Sequence, residues 1–429
     1  MKILFHTLGC KVNQYETEAM RRLLQEAGFD SGDEGSTDNA DVIVINSCTV
    51  TGESDRKLRQ LMRRCRRDNP DAAIVLTGCM PQAFPQVAEA FEEADIVLGN
   101  AARRTLPAHL RAFLSNHQRI IDIPLHEKTI EPLSIDTFTE HTRAFVKIQD
   151  GCNRFCSYCI IPYARGRVRS REPEDIRREL ETLAEKGYKE VVLVGINLTA
   201  YGQDNGKTIA EAVDAACAVD GILRVRLGSL EPDFMSDEIL SRLAAQPKLC
   251  PQFHVALQSG CDTTLRRMNR HYTTDEFRTL CEKLRCLFPN CALTTDVMVG
   301  FPGETEEEFA ESLAFVDSIG FSRVHVFAYS RRPGTVADKL AGQLPNAVKN
   351  ERSRRLIDTY RRNAEDYART YVGRTVPILL ETPHSDGTVD GLTDTYLSVR
   401  VPTTRKSGEV VSVRIIGIEG ETLIGEAAE

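Results

Sequence analysis

Cys152-Asn153-Arg154-Phe155-Cys156-Ser157-Tyr158-Cys159 puts three thiols into eight residues, directly after the strand-like run Ala144-Phe145-Val146-Lys147-Ile148. Iron prefers soft sulfur ligands, so three thiolates at this spacing can hold three corners of a cubane iron–sulfur cluster. A fourth thiolate would close the cluster. Three leave one iron open to a small molecule that brings its own nitrogen and oxygen ligands, which makes a reaction centre of an electron carrier. A structural zinc site asks for a fourth Cys or His at comparable spacing, and none stands nearby in the sequence.

The remainder of the chain fits this reading. Its 429 residues are too many for one hydrophobic core, so two or three domains are expected. No stretch approaches the roughly 20 apolar residues that span a bilayer, and the opening Met1-Lys2-Ile3-Leu4-Phe5 runs straight into a strand pattern. A cytoplasmic protein with no membrane partner is expected. Thirteen cysteines, an odd number, do not resemble a disulfide scaffold. A formal charge of −8 excludes a wholly basic nucleic-acid coat but leaves room for a local basic groove.

Three times at the start, an apolar run leads to a small residue, a cysteine and a helix. Ile3-Leu4-Phe5 leads to Gly9-Cys10, Val42-Ile43-Val44-Ile45 to Ser47-Cys48, and Ala73-Ile74-Val75-Leu76 to Gly78-Cys79. Alternating strands and helices imply a parallel sheet, whose strand-to-helix turns share the carboxyl edge where ligands bind. Cys10, Cys48 and Cys79 are therefore expected to converge as a second set of three. Cysteines also end strands merely because they are small and easily buried. Cys65, among four arginines on a helix, reads as a bystander. Strands at 96–98 and 120–123 complete the sheet, and the polar, aperiodic stretch 125–142 reads as a linker.

From 143 to 370, strand patterns at 145–149, 190–194, 223–227, 253–257, 293–299 and 323–328 alternate with punctuated helices. Pro173 opens one helix and Gly187 stops it; Thr305 with Glu308, and Thr273 with Glu276, make capping boxes. Six such units predict an incomplete (β/α)6 barrel with its site at the strand ends. The loops there carry Gly195-Ile196-Asn197, Ser229-Leu230-Glu231, Gln258-Ser259-Gly260 and Gly300-Phe301-Pro302. Glycines admit backbone close to a nucleoside-like cofactor, and Glu231 can accept from ribose hydroxyls. Arg165, Arg167 and Arg171 follow the cysteine loop, where guanidinium forks suit a phosphate or a carboxylate. After Tyr371 the pattern changes to short β runs at 376–380, 396–401, 410–418 and 422–425, as in a small OB-like barrel.

Taken together, Thr7-Leu8-Gly9-Cys10-Lys11-Val12-Asn13-Gln14, Asn46-Ser47-Cys48-Thr49-Val50, Thr77-Gly78-Cys79, the Cys152 loop through Tyr158 to Arg165-Gly166, and His254-Val255-Ala256-Leu257-Gln258-Ser259-Gly260 resemble the radical S-adenosylmethionine (SAM) methylthiotransferases over essentially the whole chain. The wording around Lys11 and Tyr163 is similar to the branch that modifies N6-threonylcarbamoyladenosine in tRNA. The resemblance implies an α/β architecture: an N-terminal parallel-sheet domain (1–124), a linker (125–142), a partial (β/α)6 radical SAM barrel with a C-terminal helix (143–370) and a TRAM domain of small β-barrel type (371–429). It implies two [4Fe-4S] clusters, an auxiliary one on Cys10, Cys48 and Cys79 and a SAM-binding one on Cys152, Cys156 and Cys159. No catalytic residue is implied beyond these ligands.

Beside the cysteine-loop Tyr158, the placement of the strand-end loops sets Gly195, Asn197, Glu231, Gln258 and Gly300 against SAM, and Arg165, Arg167 and Arg171 are expected substrate contacts that clamp tRNA phosphate, the SAM carboxylate or the threonyl carboxylate of the modified base. The implied reaction methylthiolates carbon 2 of the adenine beside the anticodon, with one SAM as methyl donor and a second as source of the 5′-deoxyadenosyl radical. Its implied partners are a tRNA anticodon stem-loop and a low-potential donor, flavodoxin-like or ferredoxin-like, acting on a monomer. The rival readings are an isopentenyladenosine tRNA methylthiotransferase, a ribosomal-protein aspartate methylthiotransferase, and a non-catalytic iron–sulfur RNA-binding redox sensor. Cys217, Cys250, Cys261, Cys281, Cys286 and Cys291 are expected to be inert.

Overall fold

The computed structural model describes residues 1–29, 40–138 and 142–428. They form two compact units. One comprises Met1–Thr139, Phe145–Arg171 and Ser330–Asp338, and the other comprises Glu140–Ala144, Glu172–Tyr329 and Lys339–Glu429. Residues 139–141 of the predicted linker and the terminal Glu429 lie outside the described residues.

In the first unit, the strands Ile3–Thr7, Val42–Ser47, Ala73–Gly78, Ile96–Leu98 and Ile120–Asp122 pair in parallel in chain order. Their apolar residues are nearly continuous because helices cover both faces. Val42, Val44, Ala73 and Val75 pack with Met20, Leu24, Leu106 and Leu110 on one side; Ile43, Ile45, Ile74 and Leu76 pack with Leu58, Met62 and Phe91 on the other. The stretch 125–138 is not a loose tether: Leu133, Ile135 and Phe138 are buried, and Tyr15 donates to the Leu133 carbonyl at 2.8 Å.

In the second unit, Glu190–Val194 and Arg224–Leu227 pair in parallel, as do Ser229–Leu230, Gln252–Val255, Ala292–Val299 and Arg323–Ala328. An isolated parallel bridge pairs Val225 with Leu249, just before the strand Gln252–Val255. The helix punctuation is local and holds. Pro173 sits in the first turn of Pro173–Glu185, both capping boxes are present, and Gly320 caps Glu306–Ile319 in the left-handed region at φ 67°.

The C-terminal strands Thr375–Pro383, Thr388–Thr393, Ser398–Pro402, Thr422–Ala427 and Val410–Glu419 close into a barrel in that spatial order. Thr388–Thr393 escapes sequence reading because its buried positions are Val389, Gly391 and Thr393, a weak apolar signal. The barrel is anchored on the amino ends of two parallel strands. Arg224 donates to the carbonyls of Leu392 and Pro377, and Arg226 to those of Asp394 and Thr393. Glu190 balances both guanidinium groups, at 3.4 and 3.0 Å. Tyr396 lies between Arg226 and Arg143, 4.2 and 5.0 Å from its ring centroid, a geometry that favours cation–π attraction.

Candidate iron–sulfur and SAM site

Cys10, Cys48 and Cys79 stand just past the carboxyl ends of three adjacent strands. The ladder Thr7–Asn46–Thr77 sets those ends level, so one edge of the sheet presents all three thiols. Asn13 ties the turns together: its amide donates to the carbonyls of Leu8 and Ser47 at 3.3 and 3.1 Å and to Asn46 Oδ1 at 3.3 Å. The Cys10 thiol donates to Asn13 Oδ1 at 3.4 Å, the Val50 N–H to Cys48 Sγ at 3.5 Å, and the Asn100 amide to Cys79 Sγ at 3.8 Å. Burial pushes the Cys48 thiol up to about 11, and the neighbouring Cys79 and Cys10 sulfurs add to the shift. Cys48 and Cys79 are buried and Cys10 is exposed; raised Cys10 and Cys48 thiols beside a third sulfur suit a cationic cluster core, which favours the thiolate form. Gly78 makes the approach possible. At φ 104°, a Cβ there would lie 2.4 Å from the Ser47 carbonyl oxygen.

The second set is carried by a short hairpin in which Gln149–Asp150 pairs with Arg169–Ser170. Gly151 opens the loop at φ 73°, and a Cβ would fall 1.9 Å from the Arg167 carbonyl oxygen, so no other residue fits without moving the loop. The Cys152 N–H donates to the Gly166 carbonyl at 3.0 Å and the Cys159 N–H to the Cys156 carbonyl at 2.9 Å. Cys156 is buried, while Cys152 and Cys159 are partly open. The donor set and the tight curl of the loop fit a cluster held at three corners.

Both cysteine sets belong to the first unit, where a buried ion network joins their flanks. Arg165, six residues past Cys159, is fully buried: it meets Glu16 at 2.8 and 3.0 Å, Asp150 at 3.2 Å and Asn13 Oδ1 at 3.0 Å. Lys147 lies 2.7 Å from both Glu16 and Asp150, and Arg103 lies 2.8 Å from Glu16. Although burial opposes ionisation, the surrounding Arg103, Arg165 and Lys147 hold the Glu16 carboxyl down at about 2. Among carboxylates in this network, Asp150 is likewise held well below the usual range by Lys147, Arg165 and Arg169 against its burial.

The three arginines differ in their surroundings. Arg165 is engaged by protein carboxylates, and Arg171 is buried against the Lys147 carbonyl at 3.2 Å. Arg167 alone of the three is exposed, with its guanidinium 4.7 Å from the Phe155 ring centroid. Glu16, Lys147 and Arg103 escape sequence reading because a charge on a helix or strand usually faces solvent.

In the second unit, Asn197 and Glu231 are drawn together by Thr199, which donates to Asn197 Oδ1 at 2.9 Å and accepts from the Glu231 N–H at 3.2 Å. Glu231 pairs with Arg270, one contact being 3.2 Å, and Tyr272 donates to the Ala256 carbonyl at 2.9 Å. Gly195 directly follows the strand Glu190–Val194. Gln258 takes φ 65°, donates its N–H to the Asp296 carbonyl and accepts from the Met298 N–H, each at 2.8 Å, which extends the ladder into the loop. Gly300, at φ 72°, donates to Glu304 Oε1 at 3.0 Å. Tyr158 lies in the cysteine loop of the first unit.

Comparison with known proteins finds three family matches along the chain. Residues 146–316 match the radical SAM superfamily, 2–99 match the uncharacterized protein family UPF0004, and 369–428 match the TRAM domain. The chain is 41% identical over 425 residues to the threonylcarbamoyladenosine tRNA methylthiotransferase MtaB of Bacillus subtilis, covering 96% of this chain and 93% of that protein. It is 36% identical to the protein of the same name from Thermotoga maritima, over 100% and 97% of the two chains. With the tRNA-2-methylthio-N(6)-dimethylallyladenosine synthase of Clostridium novyi it shares 35% identity over 99% and 96%. Among solved structures, the radical SAM methyltransferase TsrM of Kitasatospora setae shares the fold, with a TM-score of 0.57 at 16% identity over 79% of this chain and 75% of that one. The chain belongs to the radical SAM methylthiotransferase family, in its MtaB-like branch.

Proposed function

We propose that this enzyme methylthiolates carbon 2 of N6-threonylcarbamoyladenosine beside the anticodon of tRNA, consuming one SAM as methyl donor and a second as radical source. The observation that supports this most is the 41% identity to the Bacillus subtilis relative across nearly the full length of both chains. When bound, the two [4Fe-4S] clusters and SAM supply low-potential electrons, sulfur and a carbon radical, which an unactivated aromatic C–H requires.

The protein's own work is holding and shielding. Cys152, Cys156 and Cys159 take the SAM-binding cluster; Cys10, Cys48 and Cys79 take the auxiliary one. Asn13 and the Glu16–Arg165–Asp150 network fix the two cysteine-bearing segments against each other, so each arrives pre-positioned for a step sensitive to small displacements. Asn197, Glu231, Gln258 and the backbone at Gly195 and Gly300 receive the nucleoside and methionyl parts of SAM, and Arg167 meets tRNA phosphate. Arg270 and Thr199 keep the Glu231 carboxylate oriented. The electron donor is a flavodoxin-like or ferredoxin-like protein, and the enzyme acts as a cytoplasmic monomer. No helix among the described residues is long and apolar enough to cross a membrane.

Mass spectrometry of tRNA nucleosides from cells lacking and then regaining the gene tests the reaction and substrate together. Loss and return of the 2-methylthio form, with its threonylcarbamoyl precursor accumulating between, is the expected result. A shift in the isopentenyl nucleoside instead would move the substrate to the alternative branch.

A further inference from the structure

Three neighbouring parallel strands of the second unit carry His254, Asp296 and His325. The register pairs Asp296 with His325 and sets His254 beside Thr294. All three side chains share one face of the sheet, since the alternate residues Phe253, Val255, Thr295, Val297 and Val324 are buried on the other face. One donor atom from each of the three lies within 4.8 Å of the other two. His254 Nε2 is 3.3 Å from Asp296 Oδ2. Its other ring nitrogen, Nδ1, is 3.0 Å from Thr294 Oγ1, which itself accepts from Gln252 at 3.1 Å. That contact fixes the imidazole plane and aims Nε2 at the carboxylate, as hydrogen bonds behind metal-bound histidines do.

We propose that His254, Asp296 and His325 bind one divalent first-row cation, with Nε2 of His254, a carboxylate oxygen of Asp296 and a ring nitrogen of His325 as ligands. Two imidazoles and a carboxylate suit zinc, iron(II), cobalt or nickel rather than the oxygen-only shells of calcium and magnesium. Ligands at about 2.0–2.2 Å from such an ion require the donors to close in from their present separation. His325, whose side chain is exposed, supplies that movement by turning about its side-chain bonds. Three protein ligands leave at least one position open, which water or an anionic oxygen fills. The three residues belong to the second unit and both cysteine sets to the first.

The test is equilibrium dialysis of the anaerobically cluster-loaded protein against zinc chloride, with metal counted by mass spectrometry and its ligands read by zinc-edge X-ray absorption. Loading occupies the six cluster cysteines, so thiolate competition is limited to the others. The expected result is one equivalent of zinc with a nitrogen and oxygen shell showing imidazole scattering. In His325→Ala, whose exposed position spares the fold, affinity falls at least tenfold while iron content and the thermal melt stay unchanged. No zinc retained at about 100 μM free metal, a sulfur-containing shell, or unchanged binding in His325→Ala would each overturn the proposal.

Discussion

Replacing Glu16 by Gln removes the anion on which Arg103, Lys147 and Arg165 converge, at distances of 2.7–2.8 Å. Two routes give the size of the effect. The carboxyl is held at about 2, against 4.5 in an unfolded chain, so its ionised form contributes about 3 kcal/mol at neutral pH. Independently, breaking one partner out of a buried ion network costs about 3–5 kcal/mol, because the remaining charges are left uncompensated. A folded unit of this size loses about 2–4 °C per kcal/mol, so the transition that unfolds the first unit should fall by about 6–12 °C at pH 7. The sign of the pH dependence follows from the depressed carboxyl. Its stabilisation is fully present above pH 4.5 and is lost as pH falls through about 2. The gap between wild type and Glu16→Gln should therefore narrow from pH 5 towards pH 2. Thermal melts of the cluster-free protein followed by circular dichroism read both quantities. A shift under about 1 °C at pH 7, or a gap that stays constant on acidification, would refute the reasoning.

Cys156→Ala should abolish reductive cleavage of SAM, measured as 5′-deoxyadenosine by chromatography, whereas Cys48→Ala should retain cleavage and lose the methylthio product. Gly151→Ala forces a side chain onto the Arg167 carbonyl at a backbone angle L-residues avoid; iron per chain should fall by about half, since only the cluster at Cys152, Cys156 and Cys159 is disturbed. Arg167→Ala should weaken anticodon stem-loop binding and lower the slope of log K against log salt by about 1 if it meets one phosphate, while SAM cleavage by the free enzyme is kept. Arg226→Met removes two hydrogen bonds and a cation–π contact that fasten the C-terminal barrel. Proteases should then release that barrel from the folded protein, and wild-type resistance would contradict the anchoring described above.

The elements whose signals are local were legible beforehand. Gly320 stops its helix by adopting a left-handed angle, Thr305 and Glu308 satisfy orphan helix N–H groups within one turn, and the apolar runs before Cys10, Cys48 and Cys79 become parallel strands because both faces are covered. The cysteine spacing in the Cys152 loop likewise follows from one curled segment. Arg165 was not legible: its neighbours in sequence are Ala164 and Gly166, and nothing there announces Glu16, which stands far earlier in the chain. The same holds for His254, Asp296 and His325, each an ordinary polar residue in its own strand.

What the sequence determined by itself, then, is periodicity, punctuation and the thiols at strand ends, since each depends on hydrogen bonds and sterics within a few residues. What only the tertiary structure decided is which charges lose their water. Arg165, Lys147 and Glu16 look like surface residues until packing encloses them, and electrostatic attraction among enclosed groups depends on distance in space and on exclusion of solvent, neither of which chain order encodes.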